Sequence, residues 1–364
     1  MTNQKTPLRA RQGARGDADA GRMAGPGQLQ SGDVTVTADE TGESLAEVAR
    51  RYGLRPSARR PPAPEYVAQL WQRRHFIIAF ATARNIALYT EAKLGQLWQV
   101  LTPLLNAGVY FLIFGELLHI SRGIPNYLGF VVTGVFVFNF TQRSFISTST
   151  VMTESLDLIR ALQFPRAALP LGYVVIELQQ MLLSVVVLIP ILLATGEPLT
   201  LHWLLLIPVL ALQTIFNVGS GLAVARLGSQ LNDFSQLLPF LMRTWLYVSG
   251  VIFSISTLDV SGWAKSLLQV NPAALYITLT RNALMATQRE SAPGSKPYNK
   301  ALCTVWQTLG QKSRAPTRYL YDSAYCHSAI NPGHLWYYAT GWAVLALVAG
   351  FFFFWWAETR YGRG

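Results

Sequence analysis

The sequence predicts an all-α integral membrane protein: six transmembrane helices, an N-terminal cytoplasmic interface helix and a re-entrant outer helix pair before the last span. Three observations predict it. Of 364 residues, 51% are hydrophobic and only 13% are charged, against about 25% charged in a soluble domain. Six stretches, near 97–118, 127–149, 169–193, 203–225, 236–257 and 335–357, each supply the roughly 20 apolar residues that cross about 30 Å of hydrocarbon. Composition also changes abruptly near residue 65, from a polar, Gly-, Pro- and Arg-rich tail to long apolar runs. The net charge of +11 therefore points to a membrane surface rather than to nucleic acid. Two cysteines exclude a disulfide-built scaffold and a four-cysteine metal site.

Residues 1–64 read as a disordered basic cytoplasmic tail, because they cannot bury enough apolar surface to offset the entropy of ordering. No apolar stretch follows Lys5, Arg9 and Arg11, so the tail is not a secretory signal. One short helix is expected near 44–53, where Ser44 and Glu47 form a capping box closed by Gly53 and Pro56. In 66–81, Val67, Leu70, Trp71, Ile77, Ile78 and Ala81 share one face while Gln72, Arg73, Arg74 and His75 gather on another. That is the pattern of a helix lying in the cytoplasmic interface. From residue 65 to 364 the chain reads as one membrane domain.

Basic residues orient the spans. Ten Lys and Arg precede residue 65, and Arg143, Arg160, Arg166 and Arg226 fall near the even-numbered loops, whereas the short outer loops carry only Arg122 and Glu197. Both termini are then expected in the cytoplasm. Residues 258–334 are basic yet assigned outside, since long loops translocate largely regardless of charge. Within them 266–288 is broken by Asn271-Pro272 and carries Arg281, which suits a re-entrant segment better than a seventh span.

The expected chemistry of an energy-coupling or catalytic chain is missing. There is no GxxxxGK[ST] loop, HExxH, CxxC or GxSxG, and the five histidines are scattered. Among ionisable residues in or near the spans, Glu116, Arg143 and Arg226 sit close to rims, and only Glu177 and Arg243 are placed deeper. The chain is read as non-catalytic, without metal or cofactor, and in need of a partner to power any transport.

The order of these elements resembles the permease subunit of type-2 ABC polysaccharide exporters, the Wzm-like branch, with a likeness to mycobacterial galactan exporters. Four strings carry the resemblance: Arg84-Asn85 to Tyr89 with Leu94-Gly95-Gln96-Leu97-Trp98 and Pro103; Leu158-Ile159-Arg160 with Phe164-Pro165-Arg166 and Pro170; Arg226, Asp233 and Leu238-Pro239 with Ser249 to Phe253; and Asn271-Pro272 with Arg281. Asn85 stands where the family has an acid. The resemblance implies a homodimer, two copies of a cytoplasmic P-loop ATPase and a lipid-linked glycan substrate. A polyprenyl-diphosphate-linked galactan or O-antigen-like glycan is the expected cargo. Two rival readings stay open: a type-2 exporter of a drug or small lipid, and a membrane-embedded glycosyl- or acyltransferase.

Site residues follow. Ser155 can cap a short ATPase-coupling helix with Asp157 in its first turn, Leu156, Ile159 and Leu162 along an apolar edge, Arg160 and Arg166 as its cations and Pro165 as its stop. A sugar conduit needs weak, repeated binding, for which Tyr110, Phe111, Phe114, Phe136, Phe138, Phe140, Trp245 and Tyr247 are the aromatic-belt candidates. Asn271, Pro272 and Arg281 are gate candidates. Residues 289–334 depart from the compact family pattern as a basic, Tyr-rich insertion with Cys303 and Cys326. If that loop is outside, the two cysteines can pair, a closure worth roughly 3 kcal/mol.

Overall fold

In the computed structural model, residues 61–88, 90, 93–118, 126–161, 164–255, 263, 267, 268, 270–285 and 332–358 are described. The expected tail helix, Leu162, Cys303 and Cys326 lie outside them, as does the side chain of Arg160.

Two helices, α1 (Ala63–Gln72) and α2 (Arg74–Ala87), occupy the region expected to hold one. The break falls at Arg73, whose N–H is shared between the carbonyls of Gln69 and Leu70. Next to it, Arg74 Nη1 takes the Trp71 carbonyl at 3.0 Å. Pro64 and the acidic Glu65 suit the first turn of α1, since proline lacks the N–H a first turn leaves unused and acids favour the positive helix end.

Helix α3 (Trp98–Tyr110) runs on as a π-helix over Phe111–Leu117. Helix α4 (Tyr127–Glu154) is the longest, and α5 (Leu156–Ala161) is a short turn of helix between it and α6 (Ala168–Ala194). A 3-10 turn, Leu201–Leu205, leads into α7 (Leu206–Gln230), followed by α8 (Asn232–Val248), α9 (Pro272–Leu284) and α10 (Pro332–Trp356). Each of the six expected stretches thus holds a helix. Among the described residues, four segments are long and apolar enough to cross a membrane: Trp98–Leu117, Ala168–Ala194, Leu201–Gln230 and His334–Trp356. Helix α4 has the length but turns Ser- and Thr-rich after Thr141. Helix α8, with 17 residues, reaches about 25 Å at 1.5 Å per residue.

Helix α4 is the central post. Its residues from Tyr127 to Phe140 are almost all buried, and α6, α7, α8 and α9 pack around it. Helices α7 and α10 make the tightest pair, because Gly219 of one faces Gly350 and Ala346 of the other with no room for a Cβ. Small residues at such a crossing let two backbones approach where lipid supplies no hydrophobic drive. Buried side chains form two clusters. The larger surrounds Phe136, Phe138, Leu188, Val209 and Tyr276; the second, at the α5 end of the bundle, joins Tyr66, Ala81, Ile159, Leu169, Ile176, Leu222 and Phe354.

Candidate functional site

Polar residues at helical spacing on otherwise apolar helices build a cleft between α3, α4 and α6. On α4, Phe136, Asn139, Phe140 and Arg143 fall on one face; on α6, Glu177, Gln180, Met181 and Ser184 do the same. Pro103 of α3 closes the cleft. Having no N–H, it also removes the helix bond that would otherwise fall on the Gln99 carbonyl.

The cleft has a frame of amide contacts. Gln99 Nε2 donates to Asn85 Oδ1 at 2.9 Å, and Asn85 Nδ2 donates to Gln179 Oε1 at 3.2 Å. Gln179 Nε2 donates to Thr82 Oγ1 at 2.9 Å, and Gln180 Nε2 reaches Asn85 Oδ1 at 3.5 Å. Four elements (α2, α3, α4 and α6) meet here, because Arg143 Nη1 donates to Gln180 Oε1 at 2.6 Å. Asn85, standing where the resemblance led one to expect an acid, is the hub of this frame. An amide can donate and accept at once, as a carboxylate cannot.

Glu177 is the exception within this frame. It is 8% exposed, and its Oε2 has no hydrogen-bond partner among the described residues. Arg143 and Ser147 are its polar neighbours, yet the guanidinium bonds Gln180 instead.

The gate candidates lie in a second polar assembly. Asn271 Oδ1 caps α9 by accepting from the Ala273 N–H at 3.2 Å and also accepts from Trp245 Nε1 at 2.9 Å. Its Nδ2 donates to Ser249 Oγ at 3.3 Å, and Pro272 takes the first-turn position. Arg281 is 6% exposed. It donates to Phe130 O from Nε (3.2 Å) and Nη2 (2.9 Å), to Gly250 O from Nη1 (2.9 Å) and to Val251 O from Nη2 (2.7 Å). The guanidinium lies 3.3 Å from the centre of the Phe130 ring. It thus satisfies carbonyls just beyond the end of α8, where no next turn exists to do so. Gly134 leaves the space, since a Cβ there would collide with Arg281 Nη2.

The aromatic-belt candidates divide by position. Phe136, Phe138 and Phe140 are buried within the protomer, Phe138 edge-on to Trp245 with ring centres 6.0 Å apart. Tyr110, Phe111 and Phe114 are half-buried, and Tyr247 is exposed. Tyr247 and Arg243 of α8 lie close enough to Tyr110 of α3 to act on it electrostatically. Leu105 and Leu112 of α3 and Phe240 and Val248 of α8 are exposed as well.

At the α5 end a third assembly ties three distant segments. Tyr66 Oη donates to Glu358 Oε2 at 2.9 Å and accepts from the Ala167 N–H at 3.0 Å. The Arg166 N–H donates to Glu358 Oε1 at 3.1 Å, and Arg166 Nη1 donates to the Glu358 carbonyl. Burial raises the Glu358 carboxyl's pKa, and the Arg166 N–H, the Tyr66 hydroxyl and the Arg166 charge pull it back. Of the coupling-helix candidates, Ile159 is buried in this end of the core, Leu156 is half-buried and Asp157 is exposed. Ser155 ends α4, and its carbonyl accepts the first bond of α5, from the Ile159 N–H at 3.0 Å.

Sequence reasoning placed Glu177 deep but missed Asn139, Gln180 and Ser184, which share its cleft. The signal was present as polar residues three or four apart within apolar helices. It missed Tyr66 and Glu358 altogether, and nothing local pairs residues 292 apart in the chain.

A family model described as ABC-2 type transporter matches residues 77–285. The O-antigen export system permease protein RfbA of Myxococcus xanthus is 26% identical over 212 residues, 58% of this chain and 81% of the relative. RfbA of Klebsiella pneumoniae is 27% identical over 199 residues, covering 54% and 75%. The polysialic acid transport protein KpsM of Escherichia coli is 25% identical over 202 residues, covering 54% and 76%. The matched region runs from the first turn of α2 through α9, taking in all three polar assemblies except Tyr66 and Glu358, and on that match the chain belongs to the ABC-2 type transporter family.

Proposed function

We propose that this chain is the membrane half of an ATP-driven exporter that moves a lipid-linked polysaccharide across the cell membrane. The cargo we favour is a polyprenyl-diphosphate-linked galactan or O-antigen-like glycan. The observation that carries the reading is the likeness to polysaccharide export permeases over more than half of the chain. In this reading six helix-bearing stretches cross the bilayer with both termini in the cytoplasm, and α9 dips into the outer leaflet. Two copies meet along the exposed α3 and α8 face, with Tyr110, Phe114 and Tyr247 beside the path between them. A dimer needs such a face, since helices pack in lipid through close contact rather than hydrophobic exclusion.

Helix α5 joins the inner ends of α4 and α6, so a push on it from a P-loop ATPase shifts one helix against the other. Asp157 and Leu156 present the outward side, whereas Ile159 is committed to the core.

The test is purification of the C-terminally tagged chain from its native membrane. A P-loop ATPase should copurify near one to one, and the double variant Leu156→Glu, Asp157→Arg should lose it while the permease still folds. Depletion of the chain should strip polysaccharide from the cell surface. An intact surface in depleted cells, or no ATPase in several mild detergents, overturns the reading.

A further inference from the structure

We infer that the α3–α4–α6 cleft is a subsite that takes one hydroxyl-bearing edge of an uncharged sugar. The inference rests on the exporter reading and names what this part of the chain recognises. Three features of the cleft carry it.

The first is an opposed pair of charges that does not close. Arg143 and Glu177 lie near enough to interact, yet Arg143 bonds Gln180, and Glu177 Oε2 stays without a hydrogen-bond partner. A buried polar atom left unpaired costs stability, and of the several such atoms among the described residues Glu177 Oε2 is the one that belongs to an acid lining the cleft. A sugar hydroxyl fits the opening between the two groups, because it accepts from a guanidinium and donates to a carboxylate at once.

The second is size. The cleft holds about 10 Å³ of free volume, close to the space of a single water-sized group. It therefore takes one hydroxyl group, with its carbon and the rest of the ring outside. Asn139 and Arg143 are half-buried at the mouth, where the neighbouring hydroxyl of a vicinal pair would meet the Asn139 amide. That amide has no hydrogen bond among the described residues. Phe136 and Phe140 wall the cleft and offer apolar surface to a sugar's C–H face.

The third is charge balance. The guanidinium and the carboxylate cancel, so a neutral polyol gains from both, while an acidic sugar or a diphosphate gains from Arg143 only what it loses to Glu177. Contacts of this kind bind weakly, as a moving chain requires.

The experiment uses the full chain with its ATPase partner in lipid nanodiscs and saturation-transfer NMR with two probes: a neutral galactose tetrasaccharide and a sialic acid tetramer. The neutral probe should bind the wild type. Asn139→Ala should weaken it several-fold and Glu177→Gln about tenfold, the loss of one charge-assisted hydrogen bond. The sialic acid tetramer should bind the wild type poorly and gain in Glu177→Gln, where Arg143 is left uncompensated. Asn139→Ala makes no demand on folding, since its amide holds nothing in place.

Neutral binding unchanged in both variants overturns the subsite and leaves the cleft as a water site. Absence of neutral binding to the wild type overturns it as well. Equal weakening of both probes in Glu177→Gln overturns the charge argument. None of these outcomes touches the exporter reading, which falls instead if cells depleted of the chain keep their surface polysaccharide.

Discussion

Two buried glutamates at different levels of this bundle have opposite surroundings. Glu358, just beyond α10, is satisfied at both oxygens: Tyr66 serves Oε2, and the Arg166 N–H serves Oε1. Glu177, on α6, has Arg143 for a neighbour and keeps Oε2 empty. The difference separates a carboxylate that holds segments together from one held ready for something absent. A filled hydrogen-bond set fixes geometry, and removing a member leaves its partners stranded. An incomplete set adds little to stability, so its removal should cost function first.

The sharpest break in that comparison is at Arg281, the most completely satisfied charge in the bundle. Arg281→Met should lower the melting temperature drastically in detergent, since it strands the carbonyls of Gly250 and Val251 beyond the end of α8 and removes a second partner from Phe130 O. Each buried carbonyl left unpaired costs about 1–3 kcal/mol. Gly134→Ala should reproduce much of the loss by pushing against the same guanidinium. An Arg281→Met protein that melts with the wild type would remove the anchor and return this residue to the list of moving parts.

Tyr66→Phe should have a smaller effect, about 1–3 kcal/mol, because it strips one oxygen of Glu358 and one N–H of Ala167 but leaves the Arg166 contacts. The pH dependence follows from the raised pKa of Glu358. A carboxyl whose pKa is higher folded than unfolded adds stability that is fully present below the unfolded value, about 4.3. That contribution is lost as pH rises through the folded value. Melting temperature should therefore fall over that window, and Glu358→Gln should flatten this part of the fall. A wild-type profile already flat there would show that the carboxylate's partners outweigh its burial.

How much of this was legible in the sequence depends on the range of the forces involved. Six apolar runs, the break at Asn271-Pro272 and the short helix at Leu156–Ala161 are written locally, in hydropathy, proline and capping residues. Their positions agree with the helices found. The chain's two-step entry through α1 and α2 was not legible, because no glycine or proline marks the break at Arg73, beside which Arg74 reaches back to the Trp71 carbonyl. Arg281 was read as a possible gate from its place in an apolar stretch. Its partners are carbonyls supplied by α4 and by the turn after α8, and no side-chain pattern announces a carbonyl. The cleft lay between these cases. Glu177 stood out as a charge, but Asn139, Gln180 and Ser184 look ordinary until three helices are brought side by side.

Glu177→Gln should have the smallest effect on stability and the most informative effect on function. The amide keeps the shape of the side chain, and Arg143, half-buried at the mouth of the cleft, can be screened by water once the carboxylate charge is gone. The amide retains an acceptor for Ser147 and offers a donor where Oε2 had no partner. Melting temperature should stay within a few degrees of the wild type, while export of an uncharged glycan slows and ATP hydrolysis by the partner continues. That separation is what a supporting carboxylate cannot produce, and Glu358→Gln measured in parallel supplies the contrast. If Glu177→Gln destabilises the protein as much as Tyr66→Phe does, then the two glutamates do the same work. The empty oxygen would then be an internal packing compromise among α3, α4 and α6 rather than a vacancy for cargo.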